Sequence, residues 1–148
     1  MIVFQREKLS ECWDESWPLF VSHWEETEQY RHQQKLNPDK DRLFAYERMG
    51  IYYYYTARDE NKLIGHCGMY VMLSVHTQEL IATEDTWFLL PENRKSGTGI
   101  RLHNFVKDEM KNKNVTEIMM TAKLSNKAGQ IMEKLGYQHI ANQYSLHL

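Results

Sequence analysis

The apolar periodicity of the sequence changes at Gly50, and this change constrains the fold more than any other feature. Before it, bulky apolar residues recur at the spacing of one helix face, at Trp13, Trp17, Phe20, Val21 and Trp24. After it, residues 51–57, 62–73 and 77–90 have the composition and turn boundaries of three successive β-strands. This change of period predicts a mixed α/β domain with at least two layers.

The predicted elements follow the order βααβββαβαβ. A short strand at 2–4 precedes a helix that begins at Ser10 and that Pro18 either kinks or restarts, and a second, short helix ends at Gly50. After the three strands we predict a helix over 100–112, a strand over 117–122, a helix over 126–135 and a last strand over 137–148. The sheet is therefore expected to be flanked by helices.

Two groups of aromatic residues allow specific expectations about packing. Trp13, Trp17 and Trp24 lie on the apolar face of the first helix, so we expect them to pack that helix against the sheet. Tyr52 to Tyr55 are consecutive in a strand, where side chains alternate between the two faces. We expect two of these rings to point inward and two outward.

Length and charge narrow the class of protein. The 148 residues fit a single domain, which we place at 1–148, and the hydrophobic content of 42% is that of a soluble globular protein. A net charge of -2 argues against a general affinity for nucleic acid. No apolar run is long enough to span a membrane, and the first residues, MIVFQREK, do not have the pattern of a signal sequence. The two cysteines and seven histidines do not have the spacing of metal ligands. We expect a cytoplasmic protein with no metal and no membrane partner.

The segment RKSGTGI at 94–100 predicts an anion-binding loop. It lies between a predicted strand and a predicted helix, and helix N-termini bind phosphate through unpaired N–H groups. Gly97 and Gly99 let the backbone approach a ligand closely. The nucleotide-binding patterns GxxxxGK[ST] and GxGxxG are both absent, which argues against a nucleoside triphosphatase and a dinucleotide enzyme.

Two motifs together resemble the GNAT superfamily of N-acetyltransferases. Arg94, Gly97 and Gly99 match the signature [QR]-x-x-G-x-[GA], and MEKLGY at 132–137 is similar to the family's YEKLGF. The predicted element order also resembles the family's along nearly the whole chain. Small phage-encoded members of the superfamily are similar as well, and for such a protein the location would be the host cytoplasm.

The resemblance implies acetyl-coenzyme A as the acyl donor and an amine as the acceptor. Backbone N–H groups from Lys95 to Ile100 would hold the pyrophosphate, and Leu89 and Leu90 would pair with the pantetheine arm. Lys95 and Arg101 are candidates for the 3′-phosphate, and Ser125 stands where many relatives have asparagine. The cofactor-binding residues implied in this way are Leu89, Leu90, Arg94, Lys95, Ser96, Gly97, Thr98, Gly99, Ile100 and Ser125.

Catalysis requires a base, because an amine with a pKa of ~10.4 loses roughly 4.6 kcal/mol on deprotonation at pH 7. In relatives of the histone-modifying type a carboxylate on the preceding strand serves this purpose, and the corresponding position is Glu84. Strand alternation places Glu84, Thr86 and Phe88 on one face and Asp85 and Trp87 on the other. We therefore expect Glu84 to be the base, with Asp85 as the second candidate.

Other features leave alternatives open. The tyrosine that protonates the departing thiolate in many relatives is replaced by Met132, which favours a catalytically silent GNAT-like binding or virion-associated protein as the alternative function. Tyr137 is expected to pack in the core, with Tyr144 as another candidate proton donor. The acceptor is a small molecule, a protein or a modified base, and the sequence does not distinguish these three classes. A homodimer is a further possibility that the sequence does not decide. The net charge of -2 argues against a toxin that acetylates aminoacyl-tRNA.

Overall fold

A five-stranded mixed sheet forms the centre of the protein, which a computed structural model describes over residues 1–148. The strands lie side by side in chain order, and the first four are antiparallel while the last is parallel to its neighbour. They are β1 (Ile2–Glu7), β2 (Tyr52–Asp59), β3 (Lys62–Leu73), β4 (Leu80–Leu89) and β5 (Glu117–Met119). The α/β class expected from the change of period is confirmed.

Four α-helices cover the two faces of this sheet. They are α1 (Leu9–Thr27), α2 (Lys40–Arg48), α3 (Thr98–Asn112) and α4 (Ala128–Lys134), with short 3₁₀ turns at Gln29–Arg31 and Pro91–Ser96. Leu102, Val106 and Met110 of α3 are buried in the main core on one face, as their spacing predicts. Helices α1 and α2 pack on the other face, against Tyr52 and Tyr54.

The fully buried side chains of α1 are not its tryptophans. The buried side chains of the helix are Leu9, Cys12, Ser16, Leu19 and Thr27, whereas the three tryptophans are only partly buried. Trp13 nevertheless packs against the core cluster that includes Tyr52 and Tyr54 of β2, whereas Trp17 and Trp24 belong to no core cluster. The expectation that the three tryptophans pack α1 on the sheet therefore holds for Trp13 only.

Helix α1 also runs past its proline without ending. The departure from helical geometry falls at Cys12, with φ -121°, and not at Pro18. The carbonyl of Pro18 accepts a hydrogen bond of 3.0 Å from Ser22 Oγ. The predicted restart of the helix at Pro18 is thus not observed.

Three of the four consecutive tyrosines of β2 are fully buried, and only Tyr53 is partly exposed. Tyr52 and Tyr54 lie under α1 and α2, while Tyr55 belongs to the core beneath α3. Both faces of the sheet are covered, so alternation does not produce an outward pair. The expectation of two inward and two outward rings is wrong for this reason.

A β-bulge at Asp85 changes the side-chain alternation of β4. Met69 of β3 pairs with Glu84 and Gly68 pairs with Thr86, so Asp85 is the extra residue. Thr86 therefore lies on the same face as Asp85, where its hydroxyl is 3.1 Å from His66 Nδ1. The predicted grouping of Glu84 with Thr86 and Phe88 is wrong, although Glu84 and Asp85 do lie on opposite faces.

The predicted last strand over 137–148 is not formed. Residues 138–148 have no regular secondary structure and are exposed, including Ile140 at 71% and Tyr144 at 88%. The edge strand β5 has only three residues, Glu117–Met119, and pairs with β4 alone, so segment 138–148 pairs with no strand of the sheet. None of the four helices combines the length and apolar character that crossing a membrane requires.

Candidate active site

The main cleft of the protein lies where β4 and β5 separate. The two strands pair only over Ile81–Thr83 of β4, so the rest of β4, Glu84–Leu89, has an unpaired edge. A cleft of about 930 Å³ occupies this space and extends between α1, α2 and the N-terminus of α3. Its walls therefore combine residues that are distant in the sequence.

The glycine-rich loop places the start of α3 at this cleft. Gly97 has φ +70°, a left-handed conformation that favours glycine, and α3 begins at the next residue. No side chain caps the helix, so the first N–H groups have no partner within the helix. Gly97, Gly99 and Ile100 line the cleft, and a Cβ atom on Gly97 would meet nothing within 4 Å. The loop has the geometry of the predicted anion site.

The side chain of Arg94 anchors the loop instead of extending freely into the cleft. Its guanidinium donates two hydrogen bonds to the carboxylate of Glu26 on α1, at 2.9 and 2.7 Å. Its Nε donates a third, of 2.8 Å, to the carbonyl of Leu89. The charge that the sequence offers to a phosphate is thus already paired with a carboxylate.

Leu89 and Leu90 differ in the availability of their backbone. The N–H of Leu90 donates to the carbonyl of Ile64, and its carbonyl accepts from the N–H of Asn93, both at 2.9 Å. Both backbone groups of Leu90 are thus used, so the predicted pairing of Leu90 with a pantetheine arm is not supported. Because successive residues of a strand alternate in direction, the N–H of Leu89 points to the open edge.

Four other predicted cofactor residues do not line the cleft, namely Lys95, Ser96, Thr98 and Ser125. The hydroxyl of Thr98 is hydrogen-bonded to Ser96 Oγ at 2.7 Å. Four residues that the sequence did not single out do line the cleft, namely Asn126, Lys127, Ala128 and Ile131. Asn126 directly follows Ser125, so the asparagine missing from one position is present at the next.

Glu84 lies at the point where the two strands diverge. Its Oε2 accepts a hydrogen bond of 3.3 Å from the N–H of Thr121, which follows β5. Burial raises the pKa of this carboxyl to about 7, with a further contribution from the neighbouring charge of Asp85. A carboxylate with such a pKa can accept a proton near neutral pH and release it again.

Asp85 occupies the opposite side of β4, facing α1 and α2. The hydroxyl of Tyr52 donates a hydrogen bond of 3.0 Å to its Oδ2. Burial raises the pKa of the Asp85 carboxyl, while the bond from Tyr52 lowers it. The walls of the cleft surround the carboxyl and partly desolvate it, but the residue keeps accessible surface towards the cleft and can be reached by a ligand.

The candidate proton donors lie away from the cleft. Met132, at the position of the family's tyrosine, is buried at 6% exposure, and its neighbour Ile131 faces the cleft instead. A hydrogen bond of 2.8 Å joins the Tyr137 hydroxyl to His103 Nε2 on α3, and burial raises the pKa of Tyr137 to about 12. The exposed Tyr144 and the paired Tyr137 do not line the cleft.

The structure offers no metal site, and the sequence matches a known family. No group of three or more histidine, cysteine, aspartate or glutamate side chains is arranged to hold a metal ion. No curated protein matches the sequence. A family model described as "Acetyltransferase (GNAT) family", however, matches residues 9–137.

Solved structures with the same architecture cover nearly the whole chain. A ribosomal-protein-alanine N-acetyltransferase from Brucella melitensis biovar Abortus 2308 has a TM-score of 0.76 at 15% identity, over 100% of this chain and 99% of that chain. An aminoglycoside acetyltransferase from an uncultured soil metagenomic sample, in complex with sisomicin, has a TM-score of 0.74 at 16% identity, over 99% and 97%. A predicted acetyltransferase from Clostridium acetobutylicum, solved with acetyl-CoA, has a TM-score of 0.73 at 13% identity, over 99% and 96%. At these identities the likeness concerns the fold.

Proposed function

The chain belongs to the GNAT family of acetyltransferases, and on that premise we propose that Glu84 is the base for acetyl transfer to an amine at the fork between β4 and β5. Acetyl-coenzyme A is the acyl donor of this family. The observation that carries the assignment is the position of the Glu84 carboxyl, on the cleft wall with a pKa of about 7. We treat residues 1–148 as one acyltransferase domain.

The proposed reaction is a direct transfer. The amine nitrogen attacks the thioester carbonyl, a C–N bond forms and the C–S bond breaks. Glu84 takes the proton that the amine loses, directly or through a water molecule. The coenzyme A thiolate takes a proton from solvent, which a thiol with a pKa of ~8.5 permits without a positioned acid.

The glycine loop is the proposed pyrophosphate site. The first N–H groups of α3, after Gly97, have no intrahelical acceptors and stand at the positive end of the helix dipole. Lys127 also lines the cleft and, unlike Lys123, takes part in no ion pair. The unpaired N–H of Leu89 is the proposed partner of the pantetheine arm, whereas Arg94 holds the loop against α1 through Glu26.

The second candidate function is a silent binding protein with the same fold. Met132 favours it, because no tyrosine stands at the position of the family's proton donor. A single experiment separates the two functions. The protein is incubated with acetyl-coenzyme A and a mixture of amines, and both free thiol and acetylated products are measured. Product formation that Glu84→Gln abolishes supports the enzyme, and coenzyme A binding without any product supports the silent protein.

We also propose that the protein works in the cytoplasm. Cys12 and Cys67 are both free and buried, which supports a reducing compartment such as the cytoplasm.

A further inference from the structure

The acids that line the cleft differ in whether a cation already neutralises them. Glu26 is paired with Arg94, Glu28 with Lys123, and Asp39 with Arg42. Glu84 and Asp85 take part in no ion pair, although both line the cleft. The cleft therefore offers few uncompensated negative charges to a ligand, and these two are adjacent.

The end of the cleft between α1 and α2 is lined mainly by aromatic rings. Trp13 and Phe20 of α1 form an edge-to-face pair with ring centroids 5.7 Å apart. In the same aromatic cluster, Tyr70 packs edge-on against Tyr52 at 5.0 Å and against Tyr46 at 6.2 Å. Rings in such arrangements offer faces and edges to another aromatic ring.

Asp85 lies beside this aromatic wall. The Tyr52 ring is part of the wall, and its hydroxyl donates to Asp85 Oδ2 at 3.0 Å. One oxygen of the carboxylate is thus held by the protein, and the exposed carboxylate keeps further acceptor capacity. A positive group that binds Asp85 would have the rest of its molecule against the rings.

We propose that the acceptor is a small amine with a single positive charge and an aromatic or similarly flat apolar body. This inference rests on the proposed function and specifies its substrate class. The ammonium group binds Asp85, and the ring lies against Trp13, Phe20 and the exposed parts of Tyr46 and Tyr70. Both carboxylates line the cleft at the unpaired edge of β4, so the proton passes around that edge to Glu84 through water. A polycation would meet carboxylates that Arg94, Lys123 and Arg42 already neutralise.

The test compares amines that differ in ring and in charge. The substrates are 2-phenylethylamine, propylamine, spermidine, sisomicin and a peptide with an N-terminal alanine, each assayed for thiol release from acetyl-coenzyme A. We expect kcat/KM for 2-phenylethylamine to exceed that for propylamine by about tenfold or more. A higher kcat/KM for spermidine, sisomicin or the peptide overturns the inference and leaves the acetyl transfer intact.

Binding is measured separately, so that a failure of chemistry can be told from a failure of recognition. Calorimetry of 2-phenylethylamine with the coenzyme A complex is the readout. Binding without acetylation supports the inferred recognition and counts against the proposed catalysis. The absence of both binding and acetylation overturns the inference.

Two tryptophan variants test the aromatic wall. Trp13→Ala should lower the preference for 2-phenylethylamine over propylamine about tenfold. Trp17→Ala is the companion variant: Trp17 lies outside the cleft but stacks on the Trp13 ring with centroids 5.9 Å apart, so its loss should lower the same ratio less than Trp13→Ala does. A general folding defect would reduce turnover of both amines equally, so an unchanged ratio in a folded Trp13→Ala protein overturns the proposed ring contact.

Asp85→Asn tests the ammonium site. This variant should raise KM for 2-phenylethylamine more than it lowers kcat, and a larger effect on kcat than on KM overturns the ammonium site.

Discussion

The hydroxyl of Tyr52 donates a hydrogen bond of 3.0 Å to Asp85 Oδ2, and only a glycine at position 68 leaves room for it. A Cβ atom on Gly68 would lie 2.1 Å from the Tyr52 hydroxyl oxygen and 3.0 Å from Thr86 Oγ1. The glycine faces the β-bulge that makes Asp85 the extra residue of β4. One backbone irregularity and one missing side chain thus determine where this carboxylate points.

Gly68→Ala should destabilise the protein by about 1–3 kcal/mol, because the added methyl group displaces the buried Tyr52 side chain. Urea denaturation at pH 7 measures the loss. Tyr52→Phe removes the atom nearest to the new methyl group, so the double variant should be more stable than the two separate losses predict. Strict additivity of the two substitutions would show that the Tyr52 hydroxyl does not occupy the space above Gly68.

Glu84→Gln should reduce turnover by about 10²–10⁴-fold at pH 7 while leaving coenzyme A binding intact. The variant lacks the base and keeps the anion site. The loss should shrink as pH rises, because more of the acceptor amine is then already neutral. The wild-type rate should rise with pH through about 7, the pKa to which burial raises the Glu84 carboxyl. The pH dependence of kcat/KM measures both effects.

Asp85→Asn is the control for that experiment, since Asp85 lies on the opposite face of β4 and is assigned a binding role. Its kcat should stay much closer to the wild-type value. If Asp85→Asn is inactive while Glu84→Gln has wild-type turnover, the two carboxylates have exchanged roles. If both variants retain wild-type kcat, neither acid is the base.

Glu84→Gln should also stabilise the protein, and more so at high pH. The pKa of Glu84 is about 7 in the folded protein and 4.5 in the reference state. The folded state therefore binds the proton more tightly, and the stability associated with it is lost as pH rises through 7. Glutamine stays neutral, so the variant should gain about 1–3 kcal/mol over wild type at pH 8 and almost nothing at pH 4.5. Urea denaturation of both proteins at the two pH values is the measurement, and a constant difference would contradict burial of this carboxyl.

Coenzyme A should stabilise the folded state through the loop before α3. Ligand at 100 times its dissociation constant adds ~2.7 kcal/mol, which a thermal melt detects. Gly97→Asp should abolish this shift, because it places a negative charge where the pyrophosphate is expected. Gly97→Asn is the matched control, since asparagine has the same shape and tolerates a φ of +70° equally well. Equal loss in both variants would indicate a steric or backbone effect in place of charge.

The sequence by itself determined the fold class, the family and the loop. The change of apolar period at Gly50 predicts helices before strands, and the spacing of Arg94, Gly97 and Gly99 identifies the turn into α3. These features are readable because they depend on local rules, namely the helical and strand periods and the freedom of glycine to adopt positive φ. The choice of Glu84 as the candidate base comes from the resemblance to the family and not from these local rules.

Only the tertiary structure decided how the site is assembled. The bulge at Asp85 alters the alternation of β4, and it exists because β3 and β4 pair with one residue out of step, which a single strand's sequence does not reveal. The pairing of Arg94 with Glu26 and the aromatic wall beside Asp85 join residues far apart in the chain. The strand predicted over 137–148 is not formed: a strand requires a partner, and the edge strand β5 has only three residues and pairs with β4 alone. Contacts of this kind depend on the relative position of whole elements, whereas local periodicity reports only on each element alone.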